Sequence, residues 1–410
     1  MGTLDRIQHY RLRQQRALSG LFNCLPWPFP RFKAWLPGTE KQKYVIVTAN
    51  QKVGKSKFVD YVYVYETILF VMQHPEIRAK ILYFTLEISP NSKKDEFMSF
   101  LLGYLDHIYI SPTDLNSVDS DKPVPDEILN LLASDKYKPY IDKYDEIVTY
   151  IDDIRNPTGI NKYCRDYALA HGHVNYTDET YVDSNGKTCR LINKDDPYTF
   201  DDEEEIRIVI VDNASNFTQE SGLNKADTIN KMSKYFITLR DHLLYTIVLV
   251  QHQAQAQEGI ENRKMGLTKP SSDGLADCKT TSRDANLVLG LYSPFKYEIK
   301  THEGYDITKF KNYIRFMQVL EDRDYGASGQ VCPLFFNGMS SSFRELPLPD
   351  SPELNQAVDF AKHLENVRQN GYAPESLRNR VFFLFNIWLS KFKNRRNGKC
   401  RNAFRKDWYW

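Results

Sequence analysis

Nine consecutive residues, Ala49-Asn-Gln-Lys-Val-Gly-Lys-Ser-Lys57, bring a bend, an ammonium group and a hydroxyl to the spacing that grips a chain of phosphates. The common phosphate-loop pattern is Gly-x-x-x-x-Gly-Lys-Ser/Thr between a strand and a helix. Ala49 stands at the first glycine position, and Asn50, Gln51, Lys52 and Val53 fill the variable ones. Gly54 lets the backbone bend close to an anion, so that successive N–H groups and a helix N-terminus face it. Lys55 would neutralise the β- and γ-phosphates, and the Ser56 hydroxyl would ligate Mg2+. A bare Gly-Lys-Ser is common by chance. The β-branched run at 44–48 and the helical pattern at 57–73 give this one its weight.

Such a loop needs a carboxylate near its metal and a group that activates water. The apolar run 206–211 ends in Asp212, where a Walker B acid belongs; the next residue is Asn213, so no second acid backs it up. The run 81–86 ends in Glu87, which could polarise an attacking water as general base. Taken singly, the first is also an ordinary strand-end cap and the second an ordinary exposed acid.

Strands and helices alternate to position these groups. Strand-like runs at 44–48, 81–86, 146–151, 206–211, 246–250, 287–292 and 314–320 are separated by helical patterns at 57–73, 92–107, 158–171 and 227–244. This predicts an α/β fold with a mainly parallel central sheet covered by helices on both faces. One segment breaks the rhythm: 176–193 holds Asn185-Gly186 between alternating residues, a two-residue hairpin signal, inside an insertion of about 173–204. The reading divides the chain into a linker helix and connector (1–38), the main domain (39–346) and a helical, basic-aromatic C-terminal extension (347–410).

The linker pattern at 4–21 places Leu4, Ile7, Leu12, Leu18 and Leu21 on one side, ringed by arginines. It reads equally as a helix packing on its own domain or docking on a neighbouring subunit. Pro26, Pro28, Pro30 and Pro37 make an ordered connector. In the tail, Lys391, Lys393, Arg395, Arg396, Lys399, Arg401, Arg405 and Lys406 interleave with Phe392, Phe404, Trp408 and Tyr409. That mixture suits single-stranded nucleic acid, partner docking or mere solubility. With a net charge of +1, whole-chain electrostatics neither demand nor exclude a nucleic-acid partner. Six cysteines stand singly with no C-x-x-C pair, which argues against a zinc ribbon and for a reducing compartment. The N-terminus lacks a signal-peptide core, and the apolar runs at 62–72 and 381–388 are too short to cross a bilayer. The expectation is a soluble, cytoplasmic protein with no membrane partner.

Taken in order, these segments resemble the RecA-like motor domain of DnaB-type, superfamily-four hexameric helicases. The loop 47–56 looks like that family's phosphate loop, Leu82-Tyr-Phe-Thr-Leu-Glu-Ile-Ser89 like its strand with the glutamate, and Ile208-Val-Ile-Val-Asp212 like its Walker B strand. Tyr150-Ile-Asp-Asp153 with Asn156-Pro-Thr158, Thr246-Ile-Val-Leu-Val-Gln-His252 and Asp284-Ala-Asn-Leu-Val-Leu-Gly-Leu-Tyr292 are similar to its later strands. Glu321-Asp-Arg-Asp-Tyr-Gly-Ala-Ser-Gly329 resembles the arginine-finger segment, and 335–343 the closing hairpin. The match spans about 21–346.

The resemblance implies an ATP-dependent, Mg2+-dependent helicase that assembles as a ring, a hexamer in that family, and moves along single-stranded DNA during replication in a bacterial or phage-infected cell. Lys55, Ser56, Glu87 and Asp212 would form the hydrolytic centre, His252 or its neighbour Gln251 the γ-phosphate sensor, and Arg323 a finger acting on the adjoining subunit. Primase or a loader would be partners, although the family's N-terminal helical domain has no counterpart in these segments. Glu321 replaces a frequent lysine, and Ala276-Asp-Cys-Lys279 stands at the DNA loop, leaving Lys279 to contact phosphate. Arg263, Lys264 and Lys269 in the Gln-rich stretch 253–272 are further DNA candidates; the loop 216–225 is another. A filament-forming recombinase on the same core and a non-motor structural or packaging protein that retains the nucleotide fold are the competing readings.

Overall fold

Several short runs of valine, isoleucine and tyrosine are apolar on both sides of the strand, and only a sheet covered on both faces buries them. The computed structural model describes residues 3–370; the basic-aromatic run at 391–409 lies outside them. The elements used below are, in chain order, α1 (Thr3–Leu18), β1 (Tyr44–Ala49), α2 (Lys55–Val59, Asp60–Tyr65 and Glu66–Gln73 without a break), β2 (Arg78–Thr85), α3 (Pro90–Leu105), α4 (Lys138–Ile147), β3 (Val148–Ile151), α5 (Pro157–Ala170), β4 (Tyr176–Val182), β5 (Thr188–Ile192), β6 (Glu205–Asp212), α6 (Lys225–Leu243), β7 (Thr246–His252), β8 (Leu287–Tyr292), β9 (Ile314–Asp322), β10 (Val331–Asn337), β11 (Ser342–Glu345) and α7 (Leu354–Asn370).

Nine strands form the central sheet in the order β11-β10-β9-β8-β1-β7-β6-β2-β3. From β8 to β3 every neighbour is parallel; β9, β10 and β11 join antiparallel. Alternation sorts the side chains. Val45, Val47, Tyr83, Ile208, Ile210, Val248 and Val250 share one buried cluster with Phe58 of α2, Phe97 of α3 and Tyr144 of α4. Ile46, Leu82, Phe84, Val209, Val211, Ile247 and Leu249 share the other with Ile160 of α5 and Phe236 of α6. Each fully buried Phe or Ile contributes roughly 1.5–3 kcal/mol, so both layers are anchored. A third cluster seats α7, through Val358, Phe360 and Leu364, on Phe316 and Phe335.

The mainly parallel sheet expected from the sequence is present. Among the described residues, no helix is long and apolar enough to cross a membrane. The middle stretch of α2, Asp60–Tyr65, is wound as a π-helix, wider per turn than its flanks. The connector is ordered because its aromatics dock on α2: the rings of Phe29 and Phe58 stack at 6.2 Å, and Trp27 meets Tyr63 edge-on at 6.4 Å.

One expectation changes. The β4–β5 hairpin exists, but its turn is not the two-residue Asn185-Gly186 type. The Asp183 amide donates to the Lys187 carbonyl at 2.9 Å, leaving the three residues 184–186 as the loop, with Gly186 at φ 77°. A three-residue loop ending on a left-handed glycine is a common hairpin alternative. α1 meets its own domain through charged rather than apolar side chains. Ile7, Leu12 and Leu18 are exposed, while Arg13 pairs with Glu40 at 3.3 Å and Arg16 with Glu204 at 2.5 Å.

Candidate nucleotide-binding site

β1 ends on fully buried Ala49, and the chain returns through 50–53 to Gly54, whose φ of 105° lies in the left-handed region that favours glycine. Lys55 then opens α2. Val53 plugs its side chain into the core, and its carbonyl accepts from Arg315 Nε at 2.8 Å. Arg315 is itself buried, over the Phe336 ring at 4.6 Å, and burial lowers its pKa to about 9. It also donates to the Asn312 carbonyl and side chain at 2.8 and 2.9 Å, so a guanidinium holds the loop from below. Sequence reasoning missed this residue; a lone arginine inside the apolar run 314–317 is the signal that marks it.

Lys55 is 6% exposed, and its Nζ donates to the Asn50 carbonyl at 3.4 Å. Burial drives its pKa down to about 8, against the pull of Asp212 and Glu87. A cation this poorly compensated favours an incoming anion, because burying charge without a partner is costly.

Asp212 ends β6 and is 1% exposed. Its Oδ2 accepts from the Tyr83 hydroxyl at 3.3 Å and lies 3.5 Å from Lys93 Nζ. Its Oδ1 is buried with no partner. The Asp212–Asn213 peptide is cis. A partnerless carboxylate oxygen, together with the Ser56 hydroxyl at the start of α2, fits Mg2+, which takes few protein oxygens and completes its shell with phosphate and water. Among the described residues no group of three or more His, Cys, Asp or Glu side chains that could hold a metal ion is present.

A second cluster lies at the same sheet edge. Asn213 Nδ2 donates to the Glu87 carboxylate and lies 3.0 Å from His252 Nε2. With both Asn213 hydrogens donated, the histidine proton sits on Nδ1, which is buried and has no protein partner. Burial, reinforced by Lys55, lowers the His252 pKa to about 4, so the ring is neutral at ordinary pH. In the sequence Asn213 registers only as a missing acid; in the structure it is the residue that ties Glu87 to His252.

Gln251 is corrected as a sensor candidate. Strand alternation turns it to the opposite face from His252, where it is fully buried. Its Nε2 donates to the Ala276 and Cys278 carbonyls at 2.8 Å, and its Oε1 accepts from Thr281 at 2.8 Å, so it fixes the 276–281 turn.

Other candidates fall elsewhere. Gln51 and Lys52 are exposed at the loop tip. The Asn50 amide donates to the Thr268 carbonyl at 2.9 Å and to the Tyr297 hydroxyl, so its side chain anchors the loop rather than facing a ligand. Lys57 is corrected likewise: Nζ donates to the Gly338 carbonyl and Ser341 hydroxyl, both at 2.9 Å, and pairs with Glu96. The stretch 253–272 is not a free loop. Arg263 Nε donates to the Glu258 carbonyl at 2.9 Å with its guanidinium 5.9 Å from the Tyr297 ring centre, and Lys269 faces Glu303 at 3.5 Å. Lys264 and Lys279 are exposed. The turn holding Lys279 meets the loop after β6, where Ser215 donates to Asp277 at 2.8 Å and Lys225 pairs with it at 3.3 Å. Arg323 is exposed just past β9, whose Asp322 pairs with Leu287, itself paired with Val45 at the start of β1. It therefore lies at the sheet edge opposite the phosphate loop and does not serve its own chain's site.

No family model matches the chain, and no curated protein matches it by sequence. Solved structures do match by shape. One, described as an ATPase domain, superposes with a TM-score of 0.58 at 12% identity, covering 85% of this chain and 100% of that one. A DnaB-like replicative helicase, solved to describe its interactions with primase, gives 0.57 at 12% identity, covering 85% of this chain and 68% of that one. With the loop 49–56 after the central strand β1, and Glu87 and Asp212 at the ends of the paired strands β2 and β6, the chain shares the RecA-like α/β fold of these structures.

Proposed function

We propose that the chain is a Mg2+-dependent ATPase and DNA motor of the DnaB-like type. One observation carries the reading: the underpaired cation Lys55 and the partnerless Asp212 Oδ1 converge where a triphosphate and its metal would lie. Loop amides and the start of α2 bind the β- and γ-phosphates, and Lys55 neutralises them. Ser56 and Asp212 would hold the magnesium, which when bound would neutralise phosphate charge. Glu87 accepts the proton of the attacking water, while Asn213 holds its carboxylate in place. The neutral His252 offers Nδ1–H to the γ-phosphate and senses its departure.

Arg323, excluded from its own site, reaches the active centre of an adjoining copy in a ring, six-membered by analogy with the fold. The exposed apolar side of α1 supplies contact between copies. Lys264, Lys279 and the loop after β6 face single-stranded DNA in the centre, and primase or a loader binds outside. ATP turnover with and without single-stranded DNA, alongside electron microscopy of the assembly, tests this. The expected result is DNA-stimulated turnover by a ring that Lys55→Ala abolishes; undiminished turnover in that variant defeats the reading.

A further inference from the structure

α3 buries a lysine that no layer of the core requires. Lys93 is 1% exposed; its Nζ donates to Asp60 Oδ2 at 2.7 Å and to the Tyr83 hydroxyl at 3.0 Å, and lies 3.5 Å from Asp212 Oδ2. The single Tyr83 hydrogen is shared between Asp60 Oδ1 at 2.9 Å and Asp212 Oδ2 at 3.3 Å. Four elements thus contribute to one buried network: α2 with Asp60 in its π-helical stretch, β2 with Tyr83, α3 with Lys93, and β6 with Asp212.

Leucine and methionine would fill this space at less cost, since desolvating an ion pair commonly outweighs its attraction. The geometry shows what the polar set does. Every contact to Asp212 from this network falls on Oδ2, and Oδ1 is left without a partner. A carboxylate rotates readily about its last torsion, so holding one oxygen from behind fixes the direction of the other. We propose that Lys93, with Asp60 and Tyr83, is a positioning cluster that clamps Asp212 so that Oδ1 faces the metal of the bound nucleotide. This rests on the nucleotide-site reading above. It also makes α3, the helix that follows Glu87, a mechanical partner of the metal site.

The test uses the full chain with Mn2+ as probe, followed by electron paramagnetic resonance in the presence of ADP, and ADP binding without metal by calorimetry. Asp60→Asn/Lys93→Met removes one positive and one negative charge together, so net charge at the site is kept. Tyr83→Phe removes only the shared hydrogen bond. Outer-shell partners are typically worth roughly 10- to 100-fold in metal affinity. The double variant should raise half-saturating Mn2+ about tenfold and Tyr83→Phe about threefold, with metal-free ADP affinity unchanged in both. A lowered melting temperature with unchanged Mn2+ dependence would make the cluster a core filler and overturn the proposal. If the double variant does not fold, Tyr83→Phe decides alone, and unchanged Mn2+ dependence there overturns it too. Asp212→Asn is the control for the underlying site. If that variant also leaves Mn2+ binding intact, the metal reading itself fails and the clamp falls with it.

Discussion

Lys55→Met should make the empty protein more stable while destroying its response to nucleotide. Methionine keeps most of the stem's length and removes a charge that is 6% exposed and donates to the Asn50 carbonyl at 3.4 Å. Burial lowers the lysine pKa from 10.5 to about 8. At about 1.4 kcal/mol per pH unit, keeping it charged in the folded state at pH 7 costs up to about 3 kcal/mol. The folded protein holds this proton less tightly than the unfolded chain. The cost is therefore full below pH 8, shrinks between about 8 and 10.5, and vanishes once the unfolded lysine also deprotonates. Urea unfolding of both proteins without nucleotide should show the variant ahead at pH 7 and the gap closing by about pH 10. Mg-ADP at a thousand times its Kd should reverse the order, because it adds about 4.1 kcal/mol to the wild type alone, more than the about 3 kcal/mol by which the variant leads. A variant less stable than wild type at pH 7, or one that gains equally from Mg-ADP, refutes the reasoning.

Three more expectations can be checked separately. Glu87→Gln should bind ATP as tightly as wild type yet turn it over at least about a hundredfold more slowly in a single-turnover assay, since general-base catalysis is worth about 10²–10⁴. His252, neutral in the fold down to about pH 4 but protonated near 6.5 when unfolded, should cost stability as pH falls through that window; His252→Gln should lose about 2 kcal/mol less between about pH 7 and 4.5 in chemical unfolding. Arg323→Ala should leave nucleotide affinity unchanged but cut turnover of the assembly about a thousandfold, with activity partly restored on mixing with Lys55→Ala chains; failure of restoration argues against action between copies.

The sheet is legible in the sequence because its strands are apolar on both sides, as Val45–Val47 and Ile208–Val211 are, and because Gly54-Lys-Ser56 marks the turn after one of them. The order of strands and the faces of the residues at their ends are not. A shift of one position separates a residue on the face of Asn213 and Glu87 from one on the opposite face, and that is what divides His252 from Gln251. The hairpin turn misleads because Asn-Gly serves both two- and three-residue loops, and the Asp183–Lys187 pairing, absent from local composition, decides between them. Lys93 and Arg315 escape a sequence reading for a common reason. A charged side chain on a helix or strand ordinarily signals solvent, and only assembled partners, Asp60 in one case and backbone carbonyls in the other, show that each is buried. An acid inside the apolar run Phe58-Val-Asp-Tyr-Val62 is the one sequence sign of the first. Conversely, Arg263 and Lys269 read as free cations, yet the chain around Tyr297 and Glu303 engages them.

The most direct measurement is a structure of the protein with a non-hydrolysable ATP analogue, Mn2+ and a short single-stranded oligonucleotide, with the metal located by anomalous scattering. The expected result is one Mn2+ between Ser56 and Asp212, phosphates over Gly54 to Ser56, and the Arg323 of one copy at the γ-phosphate of the next. Nucleotide bound elsewhere, or a metal that ignores Asp212, contradicts it.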